Sequence, residues 1–384
     1  MFWNLFKVVY LSFFSSIFSL TLNLSVIKTN QTSAEGEPLS DYVEQTFLLL
    51  PIKIGTPPQN INAKLSIQTQ FFWMLSPIAK GYGGYNSSIS STYQLKKEMH
   101  YIKFSNTNIN GITSRERMMI ENKFDLPDIC FLLINQTVEE PTIKNYIFYY
   151  DAIIGLSISF DYYGRRYNFL GELQSSYKIK SRRFSVEINN SKGKLIIGET
   201  PEKMNKDSNH SHYHVIKTGD KDRVLYKVAL DSFYITSIIP PNNIFSDFHY
   251  VNQTAAFSLE TENIELPLTF FTIIRNNFVL KHLSNGNCRE HDDGNYVFYT
   301  CKKELKLFDT LSLVFDGWTY KLEEKDLWNM NDETNKKKFM LVYKKKGNEN
   351  SWILGLLFIK KYLTMFDMDL GRIVIYSSND DVIQ

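Results

Sequence analysis

The chain has 384 residues, 43% hydrophobic and 22% charged, an ordinary globular composition with length enough for a large core in two or three domains. Its formal net charge is +2 and its Lys and Arg are scattered, so nothing points to a nucleic-acid partner. Abundant aromatics, 23 Tyr and 28 Phe against 18 Gly, lean toward β structure and away from disorder.

Met1 to Lys7, followed by an uncharged run from Val8 to Ile27, has the plan of a secretory signal, expected over residues 1–25. A signal anchor is the alternative, because the run is nearly long enough to span a bilayer. Serines and threonines between Ser12 and Ser25 dilute it and favour cleavage. No second segment of that length occurs, so no membrane association is expected after cleavage. N-x-S/T acceptor sites begin at Asn30, Asn86, Asn135, Asn189, Asn209 and Asn252, and on a secretory chain they predict glycosylation.

Short apolar runs bounded by Gly, Asn, Pro and Ser recur downstream, as in an all-β protein. Phe184–Ile188, Lys194–Ile197, Leu311–Phe315 and Arg372–Tyr376 are examples. Helical periodicity is scarce, with Tyr167–Tyr177 and Leu356–Tyr362 the best candidates. The polar stretch Glu199–His210 reads as the boundary between halves. Ile153-Ile-Gly-Leu156 in the first half is echoed by Ile353-Leu-Gly-Leu356 in the second, a weak internal duplication.

Three cysteines on a secreted chain predict one bridge and one thiol left over. Cys288 and Cys301 flank a turn-rich stretch suited to a hairpin tie, whereas Cys130 sits in an apolar, strand-like run and reads as a buried small hydrophobe. His210, His212 and His214 alternate and would share one face of a strand. A polar surface strand is the expected reading there, and neither metal nor other cofactor is expected.

Leu49-Leu-Pro-Ile-Lys-Ile-Gly-Thr-Pro-Pro-Gln59 resembles the opening strand and turn of the pepsin-like aspartic peptidases (peptidase A1), which typically read I-x-I-G-T-P-P-Q. Further similarities follow in family order: Glu37-Pro-Leu with Tyr42, Ser90-Ser-Thr-Tyr93, Asp151-Ala-Ile-Ile-Gly-Leu156, Phe184-Ser-Val186, Lys194–Gly198, Trp352-Ile-Leu-Gly355, and Phe366-Asp367 before Gly371-Arg-Ile-Val374. The resemblance implies an all-β, two-lobed pepsin-like fold with a central inter-lobe cleft. It implies an N-terminal lobe over 37–204 and a C-terminal lobe over 205–384. It also places a bridge in the second lobe, so Cys288–Cys301 is expected with Cys130 reduced.

The family's chemistry needs two carboxylates that share a proton and hold one water. Here Trp73-Met74 matches the W-V that follows the first Asp-Thr-Gly, and counting back puts that motif on Ser66-Ile67-Gln68. Ala256-Phe257 and Pro267 put the second on Ser258-Leu259-Glu260. Neither serine can hold a proton-accepting charge at acidic pH. Ile67 and Leu259 lack the hydroxyls that the family's threonines bond across the two loops. Gln68 and Glu260 stand where glycine lets backbone approach the water site. The flap Tyr-Gly falls on Phe104-Ser105. Glu260 and Glu262 read as a solvated loop pair, and no histidine near either serine could serve as its base.

The expectation is a catalytically inactive peptidase homologue, a monomeric, secreted or endolysosomal glycoprotein that binds a peptide or protein ligand in or near the cleft. One alternative is an active aspartic endopeptidase whose carboxylates stand elsewhere. Another is a structural or inhibitor-like glycoprotein that engages partners through loops. Apolar lining of an intact cleft would favour peptide binding, and a cleft filled by Gln68, Phe104 or Glu260 would favour the loop reading.

Overall fold

The computed structural model describes residues 19–30, 44–80, 83–104, 107–135, 149–157, 168–189, 192–207, 212–218, 226–239, 243–331, 336–345, 351–377 and 382–383. Short β-branched and aromatic runs form strands, as the sequence predicts. The early strands are β1 (Leu20–Asn30), β2 (Glu44–Ile54), β3 (Gln59–Ser66), β4 (Phe72–Leu75), β5 (Gln94–Phe104), β6 (Thr107–Ile120) and β7 (Phe124–Ile134). Then come β8 (Ala152–Gly155), β9 (Arg183–Asn189), β10 (Lys192–Ile197) and β11 (His212–Lys217). The second half brings β12 (Lys227–Ile239), β13 (Asn243–Phe257), β14 (Ile264–Leu266), β15 (Cys288–Asp292), β16 (Tyr296–Lys302), β17 (Thr310–Phe315) and β18 (Trp318–Glu323). It closes with β19 (Trp328–Asn331), β20 (Lys336–Phe339), β21 (Leu341–Lys344), β22 (Trp352–Leu354), β23 (Thr364–Asp367), β24 (Arg372–Ser377) and β25 (Val382–Ile383).

Among the described residues these strands form two sheets. One runs β11-β24-β23-β9-β10-β1-β2-β3-β8-β4-β7-β6-β5, and the other β19-β20-β16-β21-β14-β22-β13-β12-β17-β18-β25 with β15 on β16. Sheet membership crosses the expected lobe boundary at 204/205, because the late strands β23 and β24 join the first sheet beside β9. The stretch read as a polar boundary contains a short helix, Pro201–Asp207.

Each sheet contains the same knot of strands. In the first, β8 lies between β3, to which it is parallel, and β4, to which it is antiparallel, and β4 in turn pairs parallel with β7. In the second, β22 lies in the same way between β13 and β14, and β14 pairs parallel with β21. The repeated Ile-Ile-Gly-Leu and Ile-Leu-Gly-Leu segments are these two central strands, so the duplication read from four residues is a duplication of topology. Their glycines are required by crowding. A Cβ on Gly155 would lie 2.5 Å from the Phe71 carbonyl oxygen, and one on Gly355 2.2 Å from that of Asn263.

Both expected helices form, as Phe169–Ser175 and Leu356–Lys361. A longer helical run, Leu268–Ser284 with a π turn over Arg275–Val279, went unread in the sequence. Its Phe, Ile, Thr and Val content disfavours helix locally, yet buried Phe270, Phe271, Ile274, Phe278 and Val279 keep a helical spacing.

The leader expectation meets a structural fact. Residues 20–25, the end of the expected 1–25 signal, pair with β10, and residues 25–30 pair with β2. Leu20, Leu22 and Leu24 are buried while Thr21, Asn23 and Ser25 are exposed, the alternation of a half-buried strand. Each buried leucine contributes roughly 1.5–3 kcal/mol. Cys288 and Cys301 sit opposite each other on β15 and β16 and form the disulfide, and Cys130 is buried in β7.

Candidate functional site

The two serines occupy matching places. Ser66 ends β3 opposite Gly155, and Ser258 stands one residue past Phe257, which pairs with Leu354 directly before Gly355. Backbone bonds hold each loop under its glycine strand. Leu156 N donates to Ser66 O at 2.7 Å, and Ser258 N donates to Leu354 O at 2.9 Å. Buried Asn168 braces the first loop: its Nδ2 donates to Gln70 O and Gly155 O, while its Oδ1 caps the Phe169–Ser175 helix.

Across the lobes the loops exchange side-chain bonds in a pseudo-symmetric pattern. Ser66 Oγ donates to Glu260 Oε1 at 2.5 Å, and Gln68 Nε2 reaches Ser258 Oγ at 3.5 Å. Within each loop the residue two positions on donates its N–H back to the serine, Gln68 N at 3.2 Å and Glu260 N at 3.1 Å. Both serines are buried, and so are the apolar side chains of Ile67 and Leu259 that follow them. Lys64 completes the cluster: its ammonium lies 3.0 Å from Glu260 Oε2 and 5.4 and 5.6 Å from the Phe47 and Tyr150 ring centres. The centre is therefore a clasp of two serines, an amide and a Lys–Glu ion pair.

Glu260 and Glu262, expected as a solvated loop pair, are each held by a cation and do not face one another: Glu260 is partly buried and Glu262 buried. Glu260 is committed to Ser66 and Lys64. Glu262 is buried and points elsewhere, accepting from Thr46 Oγ1 at 2.6 Å and from Lys360 Nζ at 2.8 and 3.0 Å. The sequence missed this because the cations come from distant segments, Lys64 from β3 and Lys360 from the Leu356–Lys361 helix. A cavity of about 430 Å³ opens behind this second carboxylate, lined by Lys28, Glu262, Trp328 and Lys360 among others, and neither serine lines it.

Phe104 ends β5 at the tip of the β5–β6 hairpin, opposite Thr107, while Ser105 lies outside the described residues. His214 bonds Tyr320 Oη through Nδ1 at 2.8 Å and stacks on Trp318, with Asp316 3.6 Å from its other nitrogen. Burial lowers its pKa, against an upward pull from Asp316. His212 is exposed on the same strand and His210 lies outside the described residues. Arg115 faces Cys130 across the β6–β7 ladder and is engaged with Asp128 at 2.5 Å. Of the acceptor asparagines, Asn135 and Asn189 are exposed and Asn86 is half-buried, capping a short turn through its Oδ1 to Ser88 N. Asn30 and Asn252 are described in backbone only, at the end of β1 and within β13, and Asn209 is not described.

Duplicated four-strand units, each delivering a loop to the junction of two lobes, define an aspartic-peptidase-type architecture. The profile described as "Eukaryotic aspartyl protease" matches residues 48–377, and the chain belongs to that family. Among curated proteins it is similar to pepsin B of Canis lupus familiaris, 20% identical over 362 residues, covering 90% of this chain and 84% of that protein.

Proposed function

We propose that this family member has no aspartic peptidase activity and acts as a secreted or endolysosomal glycoprotein that engages a protein or peptide partner. The observation that carries the reading is the clasp at the junction of the two loops. A pepsin-type centre needs two carboxylates around one water, one ionised and one protonated. Here serines stand at both matching positions, and the Glu260 carboxylate is bound to a hydroxyl and an ammonium. That carboxylate has no second carboxylate as its partner in the clasp, and its charge is balanced by Lys64.

Side chains of Gln68 and Glu260 crossing between the loops also bear on where a partner binds. An extended peptide crossing this fold passes directly over the two loops, where it would have to displace them. The arrangement favours contact through surface loops over threading of a peptide through the centre. Among the described residues no helix is long and apolar enough to cross a membrane.

Statine-type inhibitors test the reading, because their hydroxyl draws its affinity from hydrogen bonds to the carboxylate pair. Titration calorimetry from about pH 3 to 6 is expected to show no binding at micromolar inhibitor. Nanomolar binding would contradict the proposal.

A further inference from the structure

We propose that leader removal in this protein stops ahead of Leu20, after Ser16 or Ser19, and that the mature chain keeps β1 as an inner strand of the sheet. The argument starts from pairing. All six residues that β1 contributes to β10, Leu20 to Ser25, lie N-terminal to a cut after Ser25. Such a cut would leave β10 with a bare edge in the middle of the sheet, between β9 on one side and nothing on the other. It would also remove Leu20, Leu22 and Leu24 from the core they help fill.

The same strand settles what the upstream hydrophobic run can be. Val8–Ile27 reads as a continuous uncharged segment, long enough to be weighed as an anchor. Once Leu20 onward belongs to the sheet, the uncharged stretch that remains is Val8–Ser19, twelve residues. As a helix it would reach about 18 Å at 1.5 Å per residue, against roughly 30 Å of hydrocarbon. Extending it upstream would carry the Lys7 ammonium into the bilayer. Twelve uncharged residues after one basic residue, eight of them apolar, fit the central region of a cleavable leader, and Ser16 and Ser19 supply the small residues that end one. The alternation of buried leucines over Leu20, Leu22 and Leu24 lies downstream of both serines.

The experiment is N-terminal peptide mapping by mass spectrometry of the full chain expressed in secretory cells, with carbonate extraction of the membrane fraction. The expected result is a soluble secreted product whose first residue lies between Ile17 and Leu20. A first residue at Thr21 or later, or a chain resisting extraction with the leader intact, overturns the proposal. Two variants give a second readout without touching the serine loops. The pair Ser16→Leu with Ser19→Leu is expected to abolish that N-terminus, whereas Ser25→Leu, on an exposed position of β1, leaves it unchanged. Loss of processing in Ser25→Leu alone would place the cut inside the strand and refute the inference.

Discussion

In the first lobe, Ser66 ends a strand and its loop is braced from below by Asn168 and from the side by Gly155; in the second, Ser258 follows a strand and its loop rests on Gly355. Both loops turn an N–H back to their serine at nearly the same distance, 3.2 and 3.1 Å. The tips then diverge. Gln68 is neutral, exposed and reaches its serine partner at a long 3.5 Å, whereas Glu260 is charged, partly buried and gripped at 2.5 and 3.0 Å. The contrast separates two kinds of constraint. Backbone crowding beneath the loops excludes a Cβ at Gly155 and Gly355, while the positions above them hold side chains that bond one another across the loops.

The largest expected effects fall on the shared part. Gly155→Ala and Gly355→Ala should each destabilise the fold by about 3 kcal/mol or more, because the new methyl meets backbone that cannot move aside. Urea denaturation compares them, and a near-neutral result at either position would show that the crowding is not real.

The tips should then separate. Glu260→Gln leaves the Lys64 ammonium, 8% exposed, without its counter-charge and should lose about 2–3 kcal/mol. A double-mutant cycle with Lys64→Met is expected to return a coupling of about 1–2 kcal/mol. Gln68→Ala, removing one long bond from an exposed side chain, should change stability by under about 0.5 kcal/mol. Equal losses at 68 and 260 would erase the distinction drawn between the two loops.

A smaller effect is pH-linked and lies away from the clasp. Burial lowers the His214 pKa, so the unfolded chain binds its proton first as pH falls below about 6.5. The contribution of His214 to stability is present above that pH and lost as pH drops through the lowered folded value. Glu265 works in the opposite sense, since burial raises its pKa and its contribution is lost as pH rises through the raised value. His214→Asn should flatten the loss of stability as pH falls, and Glu265→Gln the loss as pH rises above the ordinary carboxylate range.

The fold was legible because its signals are local and ordered. The Gly-Thr-Pro-Pro turn, the two hydrophobic-Gly segments and the Phe-Asp strand each fix a short piece of backbone, and together they fix the topology. The Cys288–Cys301 tie was readable for the same reason. What sequence could not show depends on distance or competition. Leu20 to Ser25 carries strand alternation, but it abuts the uncharged run read as a leader and was absorbed into it. The helix over 268–284 is held by buried Phe and Ile packing against poor local propensity. Glu260 and Glu262 read as solvated because Lys64 and Lys360, which neutralise them, lie 196 and 98 residues away.

The central claim is that a Ser–Glu–Lys clasp stands where a carboxylate pair would have to act. Its most direct test is an acid proteolysis assay of the purified mature protein on denatured haemoglobin and casein, from about pH 3 to 6, with and without a statine-type inhibitor. The account predicts no cleavage above the background of a Ser66→Ala, Ser258→Ala control. Inhibitor-sensitive cleavage by the wild-type protein would contradict it.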